Sequence, residues 1–215
     1  MDYSRIASTY EWLERATFGK KLQCARTAYL DRLVNSLPTT ANVLIIGDGD
    51  GRFLEALLAR FPTLSIDYVE PSPAMMALAK KRVACDARVH WINKTIQEWC
   101  SNNPSVPDSK QYDLIVTHFV LDSIHPCELT QLTQNVRTRM APDGRWLLAD
   151  FDSTVSTLAS YIVAGMYVFF YFIAGVRWQK LKKFNPLFES QQLHLHDQKE
   201  WMGRLIYSQL WTTKE

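Results

Sequence analysis

The sequence has few cysteines, little charge imbalance and no leader-like start. Its four cysteines, Cys24, Cys85, Cys100 and Cys127, lack the paired spacing of a zinc site or a disulfide framework. The 24 Lys and Arg residues nearly balance the 22 Asp and Glu residues, so the net charge of +2 gives no argument for a nucleic-acid partner. Residues 1–15 carry charges and no apolar stretch, so we expect no signal peptide. These features favour a cytoplasmic protein with reduced thiols.

The stretch that organises the chain is residues 42–57, NVLIIGDGDGRFLEAL. An apolar run over residues 43–46 is typical of a parallel strand buried on both faces. Three alternating glycines, Gly47, Gly49 and Gly51, follow it and precede an apolar-periodic helix. Glycine lets the backbone turn sharply and approach a ligand closely, because no Cβ stands in the way. The stretch therefore predicts a nucleotide-type cofactor site at a strand-to-helix turn.

A second strand, residues 64–70, ends in Glu70 and is followed by the PSP turn of residues 71–73. A carboxylate at the end of the second strand, roughly 20 residues past the glycines, can accept hydrogen bonds from both ribose hydroxyls of an adenosine. The alternative is a surface acid that precedes a proline turn. A helix over residues 74–83 follows.

Later segments continue the alternation of strands and helices. We predict strands over residues 88–92, 112–117 and 145–149, a helix over 129–140 and a turn over 142–144. Asn93 and Thr95 follow the third strand, either beside an adenine ring or in a polar loop. Ligands of open parallel sheets bind outside the carboxyl ends of the strands, so residues 118–122 are the expected place for substrate chemistry. The pattern predicts an α/β fold with a parallel sheet.

These residues resemble the small-molecule branch of the class I S-adenosylmethionine-dependent methyltransferases. The resemblance rests on GDGDG at 47–51, EPSPAMMALAKK at 70–81, YDLIVTHFVLD at 112–122 and MAPDGRWLLADF at 140–151. The opening DYSRIASTYEWL is similar to the N-terminal helix of that branch, where a tyrosine often closes over the cofactor. The resemblance implies a Rossmann-like, mostly parallel seven-stranded sheet, flanked by helices and completed by an antiparallel hairpin.

The same resemblance implies S-adenosylmethionine as the cofactor, with the glycine loop against its methionine part, Glu70 on its ribose and Met75 near its adenine. The implied cofactor-binding residues are Tyr10, Gly47, Asp48, Gly49, Gly51, Glu70, Pro71, Ser72, Met75, Asn93, Thr95, Thr117 and His118. Many family members have an acid where this chain has Ile45, and we expect Asp48 to substitute for it. The glycine spacing differs from the GxGxxG of dehydrogenases, which argues against NAD or FAD.

Residues 153–176 contain no charged side chain, and a basic, aromatic stretch follows them. Three interpretations stand: a buried cap helix that lines a lipophilic pocket, which we favour, an interfacial helix on an anionic membrane, or a membrane span. Peripheral membrane contact would involve residues 154–183. All three favour a small, lipophilic acceptor over a nucleic acid. We divide the single predicted domain into an N-terminal helical cap (1–40), a cofactor-binding core (41–152), the apolar cap helix (153–183) and a terminal hairpin (184–215).

The predicted reaction is an in-line displacement that moves a methyl group from a sulfonium to a nucleophilic atom. If the acceptor is a hydroxyl, a general base would help, and the candidates are His118, then Asp122 and Asp150. Alternatively His118 packs beside the cofactor. His194 and His196 lack further ligands at suitable spacing, so we predict no metal site. The competing class of function is a non-catalytic cofactor- or partner-binding module on the same fold. The sequence leaves the oligomeric state open.

Overall fold

The computed structural model of the chain describes residues 18–101, 110–152 and 184–214. Within them the helices are α1 (Lys21–Thr27), α2 (Leu30–Val34), α3 (Arg52–Leu58), α4 (Pro73–Arg82), α5 (Ile96–Ser101), α6 (Pro126–Arg137) and α7 (Asn185–Glu189). The strands are β1 (Asn42–Ile46), β2 (Ser65–Val69), β3 (Val89–Ile92), β4 (Tyr112–His118), β5 (Met140–Phe151), β6 (His194–Trp201) and β7 (Ile206–Thr212).

The strands form one seven-stranded sheet in the order β3-β2-β1-β4-β5-β7-β6. Strands β1 to β5 are parallel, and β7 lies antiparallel between β5 and β6. Residues 43–46 of β1 are buried, as the apolar run predicted for a central strand covered on both faces. The predicted mostly parallel sheet with a terminal antiparallel hairpin is confirmed.

Helices cover both faces of the sheet. One apolar cluster joins α2 and α3 to the side chains of Val43, Ile45 and Val116. A second cluster joins α5, α6 and α7 to the opposite face, through residues such as Leu44 and Ile115. Neighbouring side chains of a strand point to opposite faces, so each central strand contributes to both clusters. This two-sided core leaves the carboxyl ends of the strands as the edge where a ligand can bind.

The structure corrects the bounds of one helix and one strand. The predicted helix over 129–140 is α6, which begins earlier, at Pro126, and ends at Arg137. The predicted turn at residues 142–144 lies inside β5, where the pairing with β4 is irregular between Tyr112 and Leu114. A Cβ on Gly144 would lie 2.7 Å from the Met140 side chain, so this irregularity accepts only glycine without rearrangement.

Helix α5 was not predicted, although its signal is present in the sequence. The amide of Thr95 donates to Glu98 Oε2 at 2.7 Å, and the amide of Glu98 donates to Thr95 Oγ1 at 3.2 Å. This reciprocal pair is a capping box, whose sequence signature is a Ser or Thr followed three residues later by Glu.

Some predictions concern residues outside the described ranges. These are Tyr10 and the apolar segment 153–183, so the closing tyrosine and the three interpretations of that segment stay predictions. In the part of the chain that the structure describes, no helix has the length and apolarity to cross a membrane. The same residues contain no group of three His, Cys, Asp or Glu side chains placed to hold a metal ion.

Candidate active site

The glycine loop between β1 and α3 combines tight packing with one open position. A Cβ on Gly47 would lie 2.5 Å from Val120 Cγ2, and one on Gly51 would lie 2.8 Å from the Cβ of Ala79. Among the residues that the structure describes, a Cβ on Gly49 would meet nothing within 4 Å. All three glycines have positive φ, at +70°, +66° and +79° in sequence order. Gly47 and Gly51 are therefore fixed by protein packing, whereas Gly49 leaves space at the carboxyl edge of the sheet.

Glu70 faces this open position. Its Oε2 accepts a hydrogen bond from the amide of Gly49 at 3.2 Å, and its Oε1 accepts one from the amide of Ser72 at 2.9 Å. Burial raises the pKa of Glu70, while the two amides act to lower it. Each carboxylate oxygen keeps a further acceptor position, because an oxygen of this kind can accept two hydrogen bonds. The geometry thus fits a carboxylate that binds a pair of hydroxyl groups.

Two further side chains fix the backbone around Glu70. The hydroxyl of Tyr68 donates to the carbonyl oxygen of Gly49 at 2.9 Å, and Asn93 Nδ2 donates to the carbonyl oxygens of Glu70 and Pro71 at 2.8 and 3.1 Å. Gly49 is therefore held through both its amide and its carbonyl group. Tyr68 was not among the predicted residues, because its place in an apolar strand predicted only packing.

An arginine clamps the glycine loop to α4. Arg82 Nε donates to the carbonyl oxygen of Asp50 at 2.8 Å, and its Nη2 lies 2.7 Å from Asp50 Oδ2. Arg52 Nε donates to the same carboxylate at 3.0 Å. Asp50 stands between Gly49 and Gly51, so these bonds fix the middle of the loop. Neither arginine was predicted, because the sequence does not show which charges on α3 and α4 turn toward the loop.

Asp48 caps α3. Its Oδ1 and Oδ2 accept hydrogen bonds from the amides of Phe53 and Leu54 at 3.3 and 3.0 Å. Burial raises the pKa of Asp48 to about 7, although the nearby Arg26 and the two amides act to lower it. Both carboxylate oxygens are thus engaged by the helix start, which stabilises the positive end of its dipole. Its predicted role as the substitute acid for the cofactor stays a prediction.

Arg26 is a buried cation that was not predicted from the sequence. It is 7% exposed, and its guanidinium carbon lies 5.0 Å from the centre of the Phe119 ring. Phe119 follows β4 with a φ of +56°, a conformation that is strained for a bulky side chain. Arg26 occurs on the apolar stripe of α1 with Leu22 and Ala25, and a charge on such a stripe is the signal that identifies it.

His118 and Asp150 lie on opposite faces of the sheet. His118 pairs in register with Ala149 of β5, so Asp150 points to the opposite face of the sheet. The imidazole packs edge-on against Phe53 with ring centres 4.8 Å apart, and both ring nitrogens lack a hydrogen-bond partner among the described residues. Burial, with a smaller effect of Arg26, lowers its pKa to about 3. A histidine with so low a pKa is a poor proton acceptor at neutral pH, which favours the packing role.

Asp122 and Asp150 do come together, at the carboxyl ends of β4 and β5. Burial is the main cause that raises the pKa of Asp150 well above its usual value, and the charge of Asp122 adds to it. Asp150 Oδ1 accepts a hydrogen bond from the amide of Phe151 at 2.9 Å, whereas its Oδ2 has no partner among the described residues. Tyr207, directly across from Asp150 on β7, was not predicted because its strand was assigned only a structural role.

The remaining predicted residues have structural partners as well. The Ser72 hydroxyl accepts from the amide of Met75 at 3.3 Å and caps α4, while the Thr95 hydroxyl belongs to the capping box of α5. The Thr117 hydroxyl accepts a hydrogen bond from Trp146 Nε1 at 2.8 Å in the core. The structure thus gathers Gly49, Glu70 and Asn93 at the open edge, and it engages Thr95 and Thr117 in local support.

Comparisons with known proteins agree with this geometry. Residues 44–146 match the family model described as a methyltransferase domain. Malonyl-[acyl-carrier protein] O-methyltransferase 1 of Ilyobacter polytropus is 29% identical over 117 residues, which cover 54% of this chain and 39% of that protein. The enzyme of the same type from Halalkalibacterium halodurans is 30% identical over 109 residues, which cover 51% of this chain and 38% of that protein. The chain thus matches less than half the length of these relatives.

Solved structures show the same fold. N-methyltransferase NodS from Bradyrhizobium japonicum WM9, in complex with S-adenosyl-L-homocysteine, superposes with a TM-score of 0.66 at 16% identity, covering 96% of this chain and 99% of that one. Mitomycin 7-O-methyltransferase MmcR gives a TM-score of 0.63 at 17% identity, covering 96% of this chain and 57% of that one. At such identities the likeness establishes the fold, and it confirms the predicted Rossmann-like architecture.

Proposed function

We propose that the chain carries a class I, S-adenosylmethionine-dependent methyltransferase domain, because residues 44–146 match the methyltransferase domain model, and that the whole protein methylates a small, hydrophobic or lipid-like acceptor. The observation that supports catalysis most directly is the pairing of the open Gly49 position with the carboxylate of Glu70. That arrangement fits S-adenosylmethionine, because a ribose offers two neighbouring hydroxyls to one carboxylate. Gly49 supplies the space for close approach, and Tyr68 and Arg82 keep the loop in shape.

The chemistry depends mainly on binding and alignment. When bound, the cofactor supplies a methyl group that its sulfonium already activates. The protein's part is to hold the cofactor, orient the acceptor for in-line attack and exclude water. In this proposal Glu70 fixes the ribose, Met75 and Asn93 lie on the adenine side, and Thr117 and His118 lie toward the methionine part. Asp122 and Asp150 lie at the neighbouring strand ends and are the better proton acceptors, because burial raises the pKa of Asp150 whereas it lowers the pKa of His118.

The lipophilic character of the acceptor rests on the apolar composition of residues 153–176. The names of the curated relatives point to a second acceptor class, a malonyl group carried by an acyl carrier protein. A non-catalytic binding module on this fold is the alternative function, and the apolar Ile45 in place of the usual acid favours it.

Isothermal titration calorimetry with S-adenosylmethionine and S-adenosylhomocysteine tests the proposal. We expect saturable binding of both compounds to the wild-type protein. Glu70→Ala should weaken binding about 10- to 100-fold, because hydrogen bonds to a charged group contribute about 1.5–3 kcal/mol. Glu189→Ala, which removes an exposed carboxylate on α7, is the matched control and should bind as wild type does.

Three results would contradict all or part of the proposal. Absence of saturable binding to the wild-type protein would leave only the alternative of a module that has lost the cofactor. Unchanged affinity in Glu70→Ala would remove the ribose assignment. Saturable binding without turnover of any acceptor in a lipid-extract screen would support the non-catalytic module.

A further inference from the structure

A pocket of about 190 Å³ lies at the carboxyl ends of β5 and β6. Strand β7 runs antiparallel to both strands, so its amino end lies at the same edge of the sheet. Three positions in the strand order separate β1 from β7, which at about 4.8 Å per strand places the pocket roughly 14 Å along this edge from the end of β1. The pocket thus shares the ligand-binding edge of the sheet with the glycine loop without adjoining that loop.

The pocket also lies where the apolar segment joins the part of the chain that the structure describes. Asp152 and Asn185 both line the pocket, and the segment 153–183 lies between them in sequence. Both ends of that segment are therefore attached close to this pocket. Because the composition of the same segment supports a lipophilic acceptor, the pocket is a place where such an acceptor can present a polar group.

A chain of hydrogen bonds between amide groups determines which atoms the pocket presents. The indole of Trp211 can only donate, and its Nε1 donates to Gln209 Oε1 at 3.0 Å. This bond fixes the orientation of the Gln209 amide, whose Nε2 donates to Asn185 Oδ1 at 2.9 Å and to Gln198 Oε1 at 2.6 Å. Asn185 therefore turns its oxygen toward Gln209, so the group that it can offer to a ligand is the donor Nδ2.

The hydroxyl of Tyr207 is a second polar group of the pocket. This side chain lines the pocket and is 8% exposed, and its hydroxyl has no hydrogen-bond partner among the described residues. Most buried hydroxyls are paired, so an unpaired one in the wall of a pocket points to a ligand atom that pairs with it. Since Asn185 offers N–H groups, a ligand atom that binds both side chains is a hydrogen-bond acceptor, and the Tyr207 hydroxyl donates to it.

The described lining of the pocket does not favour a charged ligand. Arg204 Nε lies 3.2 Å from Glu200 Oε2, so this cation is already paired. Gln198 Nε2 donates to Glu200 Oε1 at 2.6 Å, and Asp152 has an interaction of its own, so both acids of the lining are engaged. An anion would lie close to these two acids and be repelled. The ligand that fits the lining is therefore an uncharged hydrogen-bond acceptor.

We propose that this pocket binds an uncharged carbonyl group, as in an ester or an amide, in a part of the acceptor that does not react. A carbonyl oxygen has two lone pairs, so it can accept one hydrogen bond from Asn185 Nδ2 and one from the Tyr207 hydroxyl. The inference rests on the proposed methyltransferase function and specifies its acceptor as a molecule long enough to reach from the glycine loop to β7. Binding of such a remote group orients the acceptor without taking part in the chemistry.

Binding of matched probes tests the inference without turnover. Methyl hexanoate, hexyl methyl ether, heptanol and hexanoate present a carbonyl, an ether, a hydroxyl and a carboxylate group on chains of similar length. Calorimetry on the full chain, alone and with S-adenosylhomocysteine, should give a dissociation constant for methyl hexanoate that is lower by about fivefold or more than for each of the other three. N-methylhexanamide, the corresponding amide, shows which of the two carbonyl classes binds more tightly.

Two variants test the assigned donors. Asn185→Asp keeps the oxygen that accepts from Gln209 and removes the donor Nδ2, so it should remove most of the preference for the ester over the ether. Tyr207→Phe should reduce the same preference and, because it removes a hydroxyl without a partner among the described residues, should not lower the melting temperature of the unliganded protein. Asn35→Asp is the matched control, because it makes the same change at an exposed position and should keep the preference.

The outcomes separate this inference from the proposed function. The carbonyl inference would be overturned if the ether, the alcohol or the carboxylate bound as tightly as the ester, or if no probe bound at millimolar concentration. An unchanged preference in Asn185→Asp and Tyr207→Phe, or a lower melting temperature of Tyr207→Phe, would also overturn it. Absence of S-adenosylhomocysteine binding would instead overturn the proposed function, and the preference of the protein alone would still be measured. Circular dichroism of each variant checks that it is folded.

Discussion

Two alanine substitutions in the glycine loop should distinguish the effect of protein packing from the effect of cofactor binding. Gly47→Ala and Gly49→Ala make the same chemical change at two positions with nearly equal positive φ, +70° and +66°. The backbone strain of alanine in this region is about 1–2 kcal/mol at each position. The difference between the variants therefore comes from what the added methyl group meets.

At Gly47 the new Cβ would lie 2.5 Å from Val120 Cγ2 and 2.8 Å from Val120 Cβ. A β-branched side chain cannot move its own Cβ by rotation about χ1, so the backbone must shift. Overpacking of this kind costs about 1–3 kcal/mol more. At Gly49 the new Cβ would meet no atom of the described residues beyond its chain neighbours within 4 Å, so no such overpacking cost arises. We expect Gly47→Ala to melt about 2–12 °C below Gly49→Ala, at roughly 2–4 °C per kcal/mol for a chain of this size.

Cofactor binding should be weakened more by Gly49→Ala than by Gly47→Ala. The methyl group of Gly49→Ala would occupy the open space beside Glu70, so S-adenosylhomocysteine should bind at least tenfold more weakly to a protein that is still folded. Thermal unfolding by circular dichroism and calorimetry measure the two effects. Val120→Ala removes the 2.5 Å contact with Cγ2 and should relieve part of the clash of Gly47→Ala, while the 2.8 Å contact with the Cβ of residue 120 remains. A double-mutant cycle should detect this as a favourable coupling of about 1 kcal/mol. Equal melting temperatures for the two single variants, or wild-type binding by Gly49→Ala, would refute the reasoning.

The remaining predictions concern charges around the loop. Arg82→Met removes the bonds to Asp50 while keeping most of the side-chain bulk, and we expect severalfold weaker binding of S-adenosylhomocysteine by calorimetry. Lys81→Met, on the exposed side of α4, is its control, and equal affinities would contradict the clamp. In the folded protein the pKa of Asp48 is raised from 3.8 to about 7, so the folded state binds the proton more tightly than the unfolded state does. The free energy of unfolding should therefore fall as the pH rises between these two pKa values, by up to about 4 kcal/mol. Urea unfolding at pH 5 and pH 8 should show a smaller loss for Asp48→Asn than for wild type, and an equal loss would show that this carboxyl does not titrate as described.

Much of the fold could be predicted because local patterns determined it. The apolar run before Gly47 and the acid at Glu70 each stand where the chain changes direction, so their spacing identifies both the strands and the ligand edge. The strand inside residues 140–151 was shortened, because its PDG sequence is typical of a turn. Pairing with β4 overrides that local preference, and no pattern in one sequence reveals such a partner.

The site was predicted less completely, because its supporting bonds join distant parts of the chain. The sequence places Glu70 near Gly49, but it does not show that Tyr68 and Arg82 fix the same loop. Burial of Asp150 beside Tyr207 depends on β7 pairing with β5, which are separated by more than fifty residues of sequence. A single sequence carries no measure of such long-range neighbours.

The position of β7 has a consequence for how the protein is made. Strand β7 lies inside the sheet although it is the last strand in sequence that the structure describes, and β5 pairs with it along Arg145–Phe151. During synthesis β5 therefore remains an unpaired edge until residues 206–212 have emerged. Such an edge can pair with other chains, so a nascent or truncated polypeptide is prone to aggregate. Because long-range pairing forms slowly, completion of the sheet is a late step, and a chaperone that shields β5 would raise the yield of folded protein.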